Sequence, residues 1–271
     1  MRKLKFEIPA SVQAELDARD AAQKKATVEA LENGVFQLEY PWSNDKRGMP
    51  NLLLRSALFG VARKGRREML DDVEIASWGS TSIKFTGKKL QQSDQDVWMA
   101  CVEACKRTGS TYTIITQREL CKLAGKTDNK RWLLETLNRL VANAVTIRNE
   151  RFTYMGSLIQ NAFRDNTTGH ITLSLDPQIA SLFGDVTHIE VERRKSLAGD
   201  LSKWLQGYAM THKSTWRKPH WVGLDKLQNL CGSTATIRKF RQQMKASMTE
   251  LKAQKIVAGW TLENDVLKFW K

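Results

Sequence analysis

A short pattern that occurs twice restricts the folds open to this chain. Residues 119–125 read ELCKLAG and residues 226–232 read KLQNLCG. In each copy apolar residues recur at helical spacing, a glycine ends the segment, and a polar turn leads into a longer amphipathic segment. A short helix that ends at glycine and is followed by a second helix is the sequence form of a helix-turn-helix. The repetition predicts two such units in one polypeptide.

The second copy lies in the most basic part of the chain. The 271 residues carry a net charge of +14, and residues 186–271 hold 16 basic and 7 acidic side chains, a net +9. Residues 1–50 are balanced, with 8 of each. Such an excess of cations indicates a polyanionic partner. A membrane surface is disfavoured, because the basic residues alternate with Gln, Ser and Thr and lack an exposed aromatic face.

Several sequence features indicate the cellular compartment of the protein. No apolar run approaches the roughly 18 residues of a membrane-spanning helix, and the basic N-terminus lacks the apolar stretch of a signal peptide. We therefore expect a cytoplasmic protein with no membrane partner. Cys101 and Cys105 are one helical turn apart, whereas Cys121 and Cys231 occupy apolar helix positions. Without a Cys-x-x-Cys pair or a nearby histidine cluster, they predict reduced, buried thiols and no metal site.

Changes in pattern along the chain predict an arm and two domains. Residues 1–33 are charged and alanine-rich, and we interpret residues 1–50 as a partly flexible N-terminal arm with a helix over 11–31 and a strand over 35–40. Residues 51–185 form the first predicted domain, and residues 186–271 form the second, which carries most of the excess charge.

Periodicity assigns the elements of each domain. The first is predicted to contain a short helix opened by a capping box of Thr116 and Glu119, helices over 94–107 and 129–143, and strands over 74–78, 81–85, 112–115, 145–148, 152–158 and 170–175. After a junction within 181–194, the second is predicted to contain helices over 197–210, 224–231 and 237–255 and a hairpin of strands 256–262 and 266–270. The fold class that follows is α+β: two tandem winged-helix (helix-turn-helix) domains, mainly helical, with small antiparallel sheets as wings.

The long helix after the second copy carries the candidate reading face. One stripe at helical spacing is apolar (Ile237, Phe240, Met244, Met248 and Leu251), and a second stripe contains Arg, Gln, Thr and Lys. In the major groove arginine pairs with guanine and glutamine with adenine, while lysine and threonine hold phosphates. A merely solvated basic face stays an alternative. The candidate DNA-binding residues are Ser233, Thr234, Thr236, Arg238, Lys239, Arg241, Gln242 and Lys245, with backbone N–H groups near Ser233 and Thr234 suited to a phosphate.

The first copy offers a weaker face, because Asp128 and Glu135 dilute its charge. It could read bases, contact only phosphates, or pair with another subunit. Its candidate DNA-binding residues are Lys126, Thr127, Asn129, Lys130 and Arg131. Lys268 in the last hairpin is a further candidate for contact with the DNA backbone, as are Arg217 and Lys218.

Several enzyme classes are disfavoured by their missing motifs. Residues 60–67, GVARKGRR, have the glycine spacing of a phosphate-binding loop but carry Arg66 and Arg67 where Lys-Ser/Thr is needed. The histidines are scattered, and there is no Gly-x-Ser-x-Gly, no His-Glu-x-x-His and no evident carboxylate cluster. We therefore expect a non-catalytic protein without a cofactor.

One segment offers a motif for a protein partner. Residues 178–183, QIASLF, loosely resemble the Gln-x-x-Leu-Phe peptides that bacterial proteins insert into the sliding clamp. Leu182 and Phe183 are more simply explained as core residues at the end of a domain. Both interpretations stay open at this point.

Four strings carry a family resemblance: PNLLLRSALF at 50–59, GRR at 65–67, IKFTG at 83–87 and SDQDVWM at 93–99. Together they resemble the TrfA type of plasmid replication initiator. The similarity continues to about residue 182 in the lengths and the order of the predicted segments. Beyond residue 185 the similarity is one of architecture.

The resemblance implies a tandem winged-helix initiator that binds repeated origin sites (iterons), helps to open adjacent A·T-rich DNA, and recruits the host initiator and the replicative helicase. It also implies a monomer–dimer equilibrium and DNA-reading helices over 129–143 and 234–252. The alternative is a sequence-specific transcriptional repressor with the same fold. A structural protein that uses winged helices for protein contacts is a third interpretation.

Overall fold

The structure, a computed structural model, describes residues 42–61, 65, 67–127 and 129–271. The helix predicted over 11–31 and the strand predicted over 35–40 lie outside these residues. The described chain is an α+β fold with several small sheets. None of its helices within the described ranges is both long and apolar enough to cross a bilayer.

The described part of the chain begins with short elements, which are followed by a long helix and then by a pair of shorter helices. In chain order they are β1 (Lys46–Pro50), α1 (Asn51–Leu54), β2 (Phe59–Gly60), β3 (Met69–Ile75), β4 (Ser82–Lys88), β5 (Leu90–Gln91), α2 (Gln92–Thr108), β6 (Tyr112–Thr116), α3 (Gln117–Leu123) and α4 (Lys130–Val141). Next come β7 (Ala144–Arg148), β8 (Thr153–Gly156), β9 (Asn161–Arg164), β10 (His170–Ser174), a 3₁₀ helix (Pro177–Gly184), β11 (Val186–Glu190) and α5 (Val191–Ser196). Helix α2 is central, because Val97, Trp98 and Cys101 on its inner side are fully buried.

The last part of the chain repeats the order of the first. Its elements are α6 (Asp200–Met210), β12 (His220–Gly223), α7 (Leu224–Leu230), α8 (Ile237–Ala253), β13 (Gly259–Glu263) and β14 (Val266–Trp270). Strand β12 lies between α6 and α7 and pairs with β14 of the closing hairpin, just as β6 lies between α2 and α3 and pairs with β10. We call α2, β6, α3, α4, β9 and β10 the first repeat, and α6 to β14 the second repeat.

The short helix of the first repeat begins as the sequence predicts, and the short helices of both repeats end as it predicts. The Thr116 hydroxyl oxygen accepts a hydrogen bond from the Glu119 N–H at 3.2 Å, and the Glu119 carboxylate accepts one from the Thr116 N–H at 3.3 Å. The predicted capping box is therefore confirmed. Gly125 and Gly232 follow α3 and α7 with left-handed backbone, φ 78° and 65°. Because an L side chain is strained there, glycine is suited to ending both helices.

Two apolar clusters hold the fold together. One contains buried side chains between Trp42 and Ile189, and the other contains buried side chains between Leu197 and Phe269. The cysteines are buried free thiols, as predicted. Burial raises the pKa of the Cys105 and Cys231 thiols to about 12, because it disfavours the charged thiolate.

The structure contains more strands than the sequence analysis predicted. Strand β1 pairs with β11 in a register that places Lys46 opposite Glu190, and Met49 on β1 is fully buried. Residues 42–50, assigned to the arm, therefore pack on the first cluster, and the predicted junction at 181–194 contains β11 and most of α5. Sequence analysis missed β1 because its residues, KRGMP, show no period-two pattern and pair with a distant segment.

Polar contacts join the first part of the chain to the second repeat. The Asp96 carboxylate of α2 accepts hydrogen bonds from Lys203 Nζ of α6 at 2.7 Å and from the Arg194 guanidinium of α5. The side chains of Arg194 and Asp96 are only 4% and 12% exposed. Separately, the Val61 N–H donates to the Cys231 carbonyl oxygen at the end of α7, at 2.7 Å. These contacts connect the first part of the chain to α6 and α7 of the second repeat.

The segment that resembles a clamp-binding peptide lies in the 3₁₀ helix and faces the core. Leu182 and Phe183 are buried. The Phe183 ring stacks between the rings of Trp42 and Trp98, with 6.0 Å between centroids on each side. A sliding clamp would need these apolar side chains free, so the structure supports the core interpretation and not the clamp interpretation.

Candidate nucleic-acid interface

Helix α8 has one apolar face and one basic face. Phe240, Met244 and Leu251 on the inner face are fully buried in the second cluster. The Thr236 hydroxyl accepts a hydrogen bond from the Lys239 N–H at 3.4 Å and so caps the first turn. The helix is therefore held from inside and at its start, which leaves its other side toward solvent.

The solvent side of α8 carries unpaired cations and amides. Arg238, Lys239, Gln242 and Lys245 are all exposed. Among the described residues, none of the three cations in this set has a carboxylate partner. A convex helix with exposed Arg, Gln and Lys has the donors that base edges and phosphates of the major groove accept.

Arg241, predicted to read bases, pairs with the closing hairpin. Its Nε and Nη2 donate to the two carboxylate oxygens of Asp265, each at 2.7 Å. This hydrogen bond raises the pKa of Arg241 and lowers that of Asp265. The Asp265 carbonyl oxygen also accepts from the Leu224 N–H at 2.8 Å. Asp265 thus ties the tip of the hairpin to both α7 and α8, and Arg241 positions the hairpin.

The other predicted residues of the second repeat lie around the start of α8 or on β14. Ile237 is 42% exposed, because the first helical residue precedes the part of the helix that packs on the core. The Ser233 N–H, predicted to suit a phosphate, donates to the Gln228 carbonyl at 3.0 Å and helps to close α7. The helix begins at Ile237, so Thr234 lies in the turn before it. Lys268 is exposed on β14, on the outer face of the sheet.

The corresponding face of the first repeat is partly neutralised. The Asn129 side chain caps α4 by accepting from the Trp132 N–H at 3.1 Å. Arg131 donates to Glu135 at 2.9 Å, one turn along the same helix. Lys126 Nζ lies over the Trp132 ring, 5.9 Å from its centroid. The predicted residues Thr127 and Lys130 are exposed beside them.

The sequence analysis missed two exposed cations next to this face. Arg118 and Lys122 lie one helical turn apart on α3, and both point to solvent close in sequence to Lys126. Their spacing of four residues within a short helix was the available signal. Asp265 was also missed, because its partner Arg241 is distant in the sequence and only the tertiary fold joins them.

The sequence matches a known protein family over almost its whole length. The family model described as TrfA protein matches residues 10–271. The plasmid replication initiator protein TrfA of Escherichia coli is 28% identical over 270 residues, which cover 93% of this chain and 69% of the relative.

Solved structures share the fold at low identity. A crystal structure of domains 2 and 3 of RctB superposes with a TM-score of 0.54 at 11% identity, and covers 82% of this chain and 98% of that one. A second structure of the same RctB domains gives a TM-score of 0.50 at 12% identity, with 78% and 93% covered. The likeness to RctB concerns the fold, whereas the family match extends over almost the whole sequence. The chain belongs to the TrfA family.

Proposed function

We propose that this protein initiates plasmid DNA replication by binding repeated origin sequences (iterons) through two winged-helix domains. Apart from β7 and β8, which follow α4 and form a separate sheet with β3 and β4, each repeat has the order helix, strand, helix pair and hairpin. This is the order of a winged helix with the hairpin as its wing. The predicted boundary between residues 185 and 186 stays part of the proposal, although β11, which follows it, pairs with β1 and packs on the first cluster. The interpretation as a non-catalytic protein accompanies it.

The observation that carries the proposal is the exposed basic face of α8. Its cations have no described carboxylate partner, its apolar face is buried, and the adjacent hairpin is tied to it through Arg241 and Asp265. In this arrangement α8 enters the major groove and the hairpin lies along the backbone. The candidate contacts are Arg238, Lys239, Gln242 and Lys245 to the duplex, with Thr236 and Arg241 in supporting positions.

The first repeat would add a second contact to the same long site. Lys126, Thr127, Asn129, Lys130 and Arg131 surround the start of α4 and suit phosphates better than bases, since Asn129 and Arg131 already have partners. If about 6–10 phosphates are neutralised in all, binding falls steeply with salt. The host initiator, the replicative helicase and a monomer–dimer equilibrium belong to the proposal as partners and states of the initiator.

Footprinting of the purified protein on its native plasmid tests this function. We expect protection of a row of direct repeats beside an A·T-rich tract. A plasmid that carries the origin but lacks this gene should then fail to replicate unless the protein is supplied. Persistence of that plasmid without the protein would support the repressor instead, for which no feature of the described residues speaks specifically.

A further inference from the structure

A cleft opens between the four-stranded sheet of the first part of the chain and helix α4. Its volume is about 590 Å³, and its lining residues are Arg67, Glu68, Met69, Lys88 and Arg139. Met69 at the start of β3 and Lys88 at the end of β4 are opposite each other in the sheet. Small-molecule sites in proteins have volumes of about 300–1,000 Å³. The cleft is therefore large enough for a small organic ligand.

Two arginines of the cleft share one carboxylate. Asp94, in the first turn of α2, is fully buried, and its Oδ1 accepts a hydrogen bond from Arg139 Nε at 3.0 Å. Its Oδ2 accepts a hydrogen bond from Arg67 Nη1, which also donates to the Lys89 carbonyl oxygen at 3.0 Å. The side chains of Arg67 and Arg139 are only 18% and 13% exposed. Two positive charges are thus held at fixed positions beside a single negative charge.

The remaining charged side chains keep the cleft positive. Lys88 is exposed and forms no ion pair with a residue that the structure describes. Glu68, the acidic residue of the lining, lies 3.7 Å from Lys89 Nζ at the rim and is mostly exposed. Together with the two arginines, these lysines outnumber the carboxylates of Glu68 and Asp94. A cleft with an excess of one charge attracts ligands of the opposite charge, in this case anions.

The two guanidiniums retain hydrogen-bond donors for such an anion. Arg67 Nε and Arg139 Nη1 donate to no acceptor among the residues that the structure describes. A guanidinium is planar and presents its donors as a fork that matches phosphate oxygens. Because Asp94 already orients both arginines, a ligand loses less side-chain entropy when it binds them.

The cleft lies away from the duplex contacts proposed for α4. Those contacts surround the start of the helix at Lys130, whereas Arg139 is close to its other end. Nine residues of α-helix extend about 14 Å along the axis and place the two side chains about half a turn apart. A duplex that lies across the start of α4 therefore has no need to cover Arg139. This position favours a small free ligand over the DNA backbone.

We propose that this cleft binds the phosphate chain of a small molecule such as a nucleoside triphosphate. Arg67 and Arg139 hold phosphate oxygens through their free donors, and Lys88 adds a third positive charge from the sheet. Residues 60–67 lack the Lys-Ser/Thr of a phosphate-binding loop, but Arg67 at the end of this segment supplies a guanidinium. Binding of such a ligand goes beyond the proposed duplex-binding function.

The test measures binding of ATP to the full chain by isothermal titration calorimetry at fixed salt. We expect one ATP per chain, with competition from inorganic triphosphate and none from adenosine. Lys88→Gln removes a cation of the cleft without disturbing Asp94, and it should weaken ATP binding about tenfold. Lys84→Gln, on the same strand, removes a cation that pairs with Asp72 and should leave ATP binding unchanged.

Two further measurements separate the cleft from the DNA site and from misfolding. The melting temperature without ATP and the binding of the iteron duplex should both be unchanged in Lys88→Gln. A loss of duplex binding as large as the loss of ATP binding would assign the cleft to the DNA backbone and overturn the proposal. Unaltered ATP binding in Lys88→Gln, or competition by adenosine, would overturn it as well.

Other surfaces of the second repeat provide the last controls. Trp221 on β12 is 69% exposed, contrary to the expectation that the basic residues lack an exposed aromatic face, and it offers a base a different place to stack. Both Trp221→Ala and Lys239→Gln, on α8, should leave ATP binding unchanged. If either variant loses as much ATP affinity as Lys88→Gln, ATP binds the basic surface in general and the cleft is not its site.

Discussion

The two repeats share one plan but treat their cations differently. In the first repeat Arg131 is paired with Glu135 and Lys126 lies over the Trp132 ring. In the second repeat Arg238, Lys239 and Lys245 have no carboxylate partner among the described residues. The order of elements therefore makes a scaffold twice. The partners of the side chains make one copy better suited to reading DNA than the other.

The hairpins differ in the same way. In the first repeat the Asp165 carboxylate at the hairpin tip accepts from the Thr167 and Thr168 N–H groups, at 2.7 and 3.2 Å, and serves its own turn. In the second repeat Asp265 at the tip pairs with Arg241 of the long helix. The second hairpin is thus fixed to its helix by a side chain, whereas the tip carboxylate of the first is used locally.

The largest effect is expected where the repeats are joined. Asp96→Asn removes the carboxylate that holds Arg194 and Lys203, and leaving a buried arginine without its partner costs about 3–5 kcal/mol. Denaturant unfolding should show this loss. Gel shifts can also compare DNA sites in which the segments contacted by the two repeats are moved closer together or further apart. The variant should discriminate less between these sites than the wild type does.

The matched control for this prediction is on α5, the helix that carries Arg194. Glu192→Gln removes an exposed pair with Lys195 and should change neither property. If Asp96→Asn unfolds less stably but keeps the wild-type preference for one spacing, the contact stabilises the fold without setting the distance between the repeats.

A second prediction compares the basic faces of the two repeats directly. Arg238→Ala should weaken duplex binding by about 1–3 kcal/mol and relax specificity at one base pair. Lys126→Ala in the first repeat should give a smaller loss that is equal across sequences, with the slope of log K against log salt reduced by about 1. Gel shifts on a panel of mutated sites measure both. Equal losses of specificity would remove the difference between the repeats.

A third prediction concerns the ion pair between Arg241 of α8 and Asp265 at the tip of the hairpin. We call this pair the brace. Arg241→Ala and Asp265→Asn should weaken duplex binding to the same modest extent, and the double variant should be no worse than either one. A direct role in base reading would instead relax specificity in Arg241→Ala alone. Binding of the single and double variants to the same panel of sites distinguishes the two roles.

The brace also has a pH dependence with a defined sign. Arg241 lowers the pKa of Asp265, so the pair is fully present above the ordinary aspartate pKa and is lost as pH falls through the lowered value. The pKa of Asp265, followed by NMR, should rise in Arg241→Ala. An unchanged titration would show that the pair is not formed in solution.

The smallest effect is expected from freeing a cation of the first repeat. Glu135→Gln leaves Arg131 unpaired and removes a negative charge from the face of α4. Because exposed pairs are weak, duplex affinity should rise only about two- to fivefold. Glu74→Gln, on exposed β3, is the matched control. Lower affinity in Glu135→Gln would mean that the pair orients Arg131 for contact rather than withholding it.

The local pattern was enough to find the elements that repeat. Leucines at helical spacing, the glycines at 125 and 232 and the Thr116–Glu119 box each act over a few residues, so the sequence alone located α3, α4, α7 and α8 to within a few positions. The role of Arg241 could not be found in this way, because its partner at residue 265 is fixed by the fold of the hairpin. The strands β1 and β11 were missed for the same reason.

Sequence by itself determined the repeated helix pair, the charge of the last third and the family of the chain, because these depend on neighbours along the chain or on composition. Only the tertiary structure decided which cations remain free, that residues 42–50 belong to the packed fold, and that Arg67, Lys88 and Arg139 line one cleft. Those outcomes depend on groups that are distant in sequence and meet only when the chain folds. Helical and strand periods predict which side of an element is buried, but they do not identify the partner that covers it.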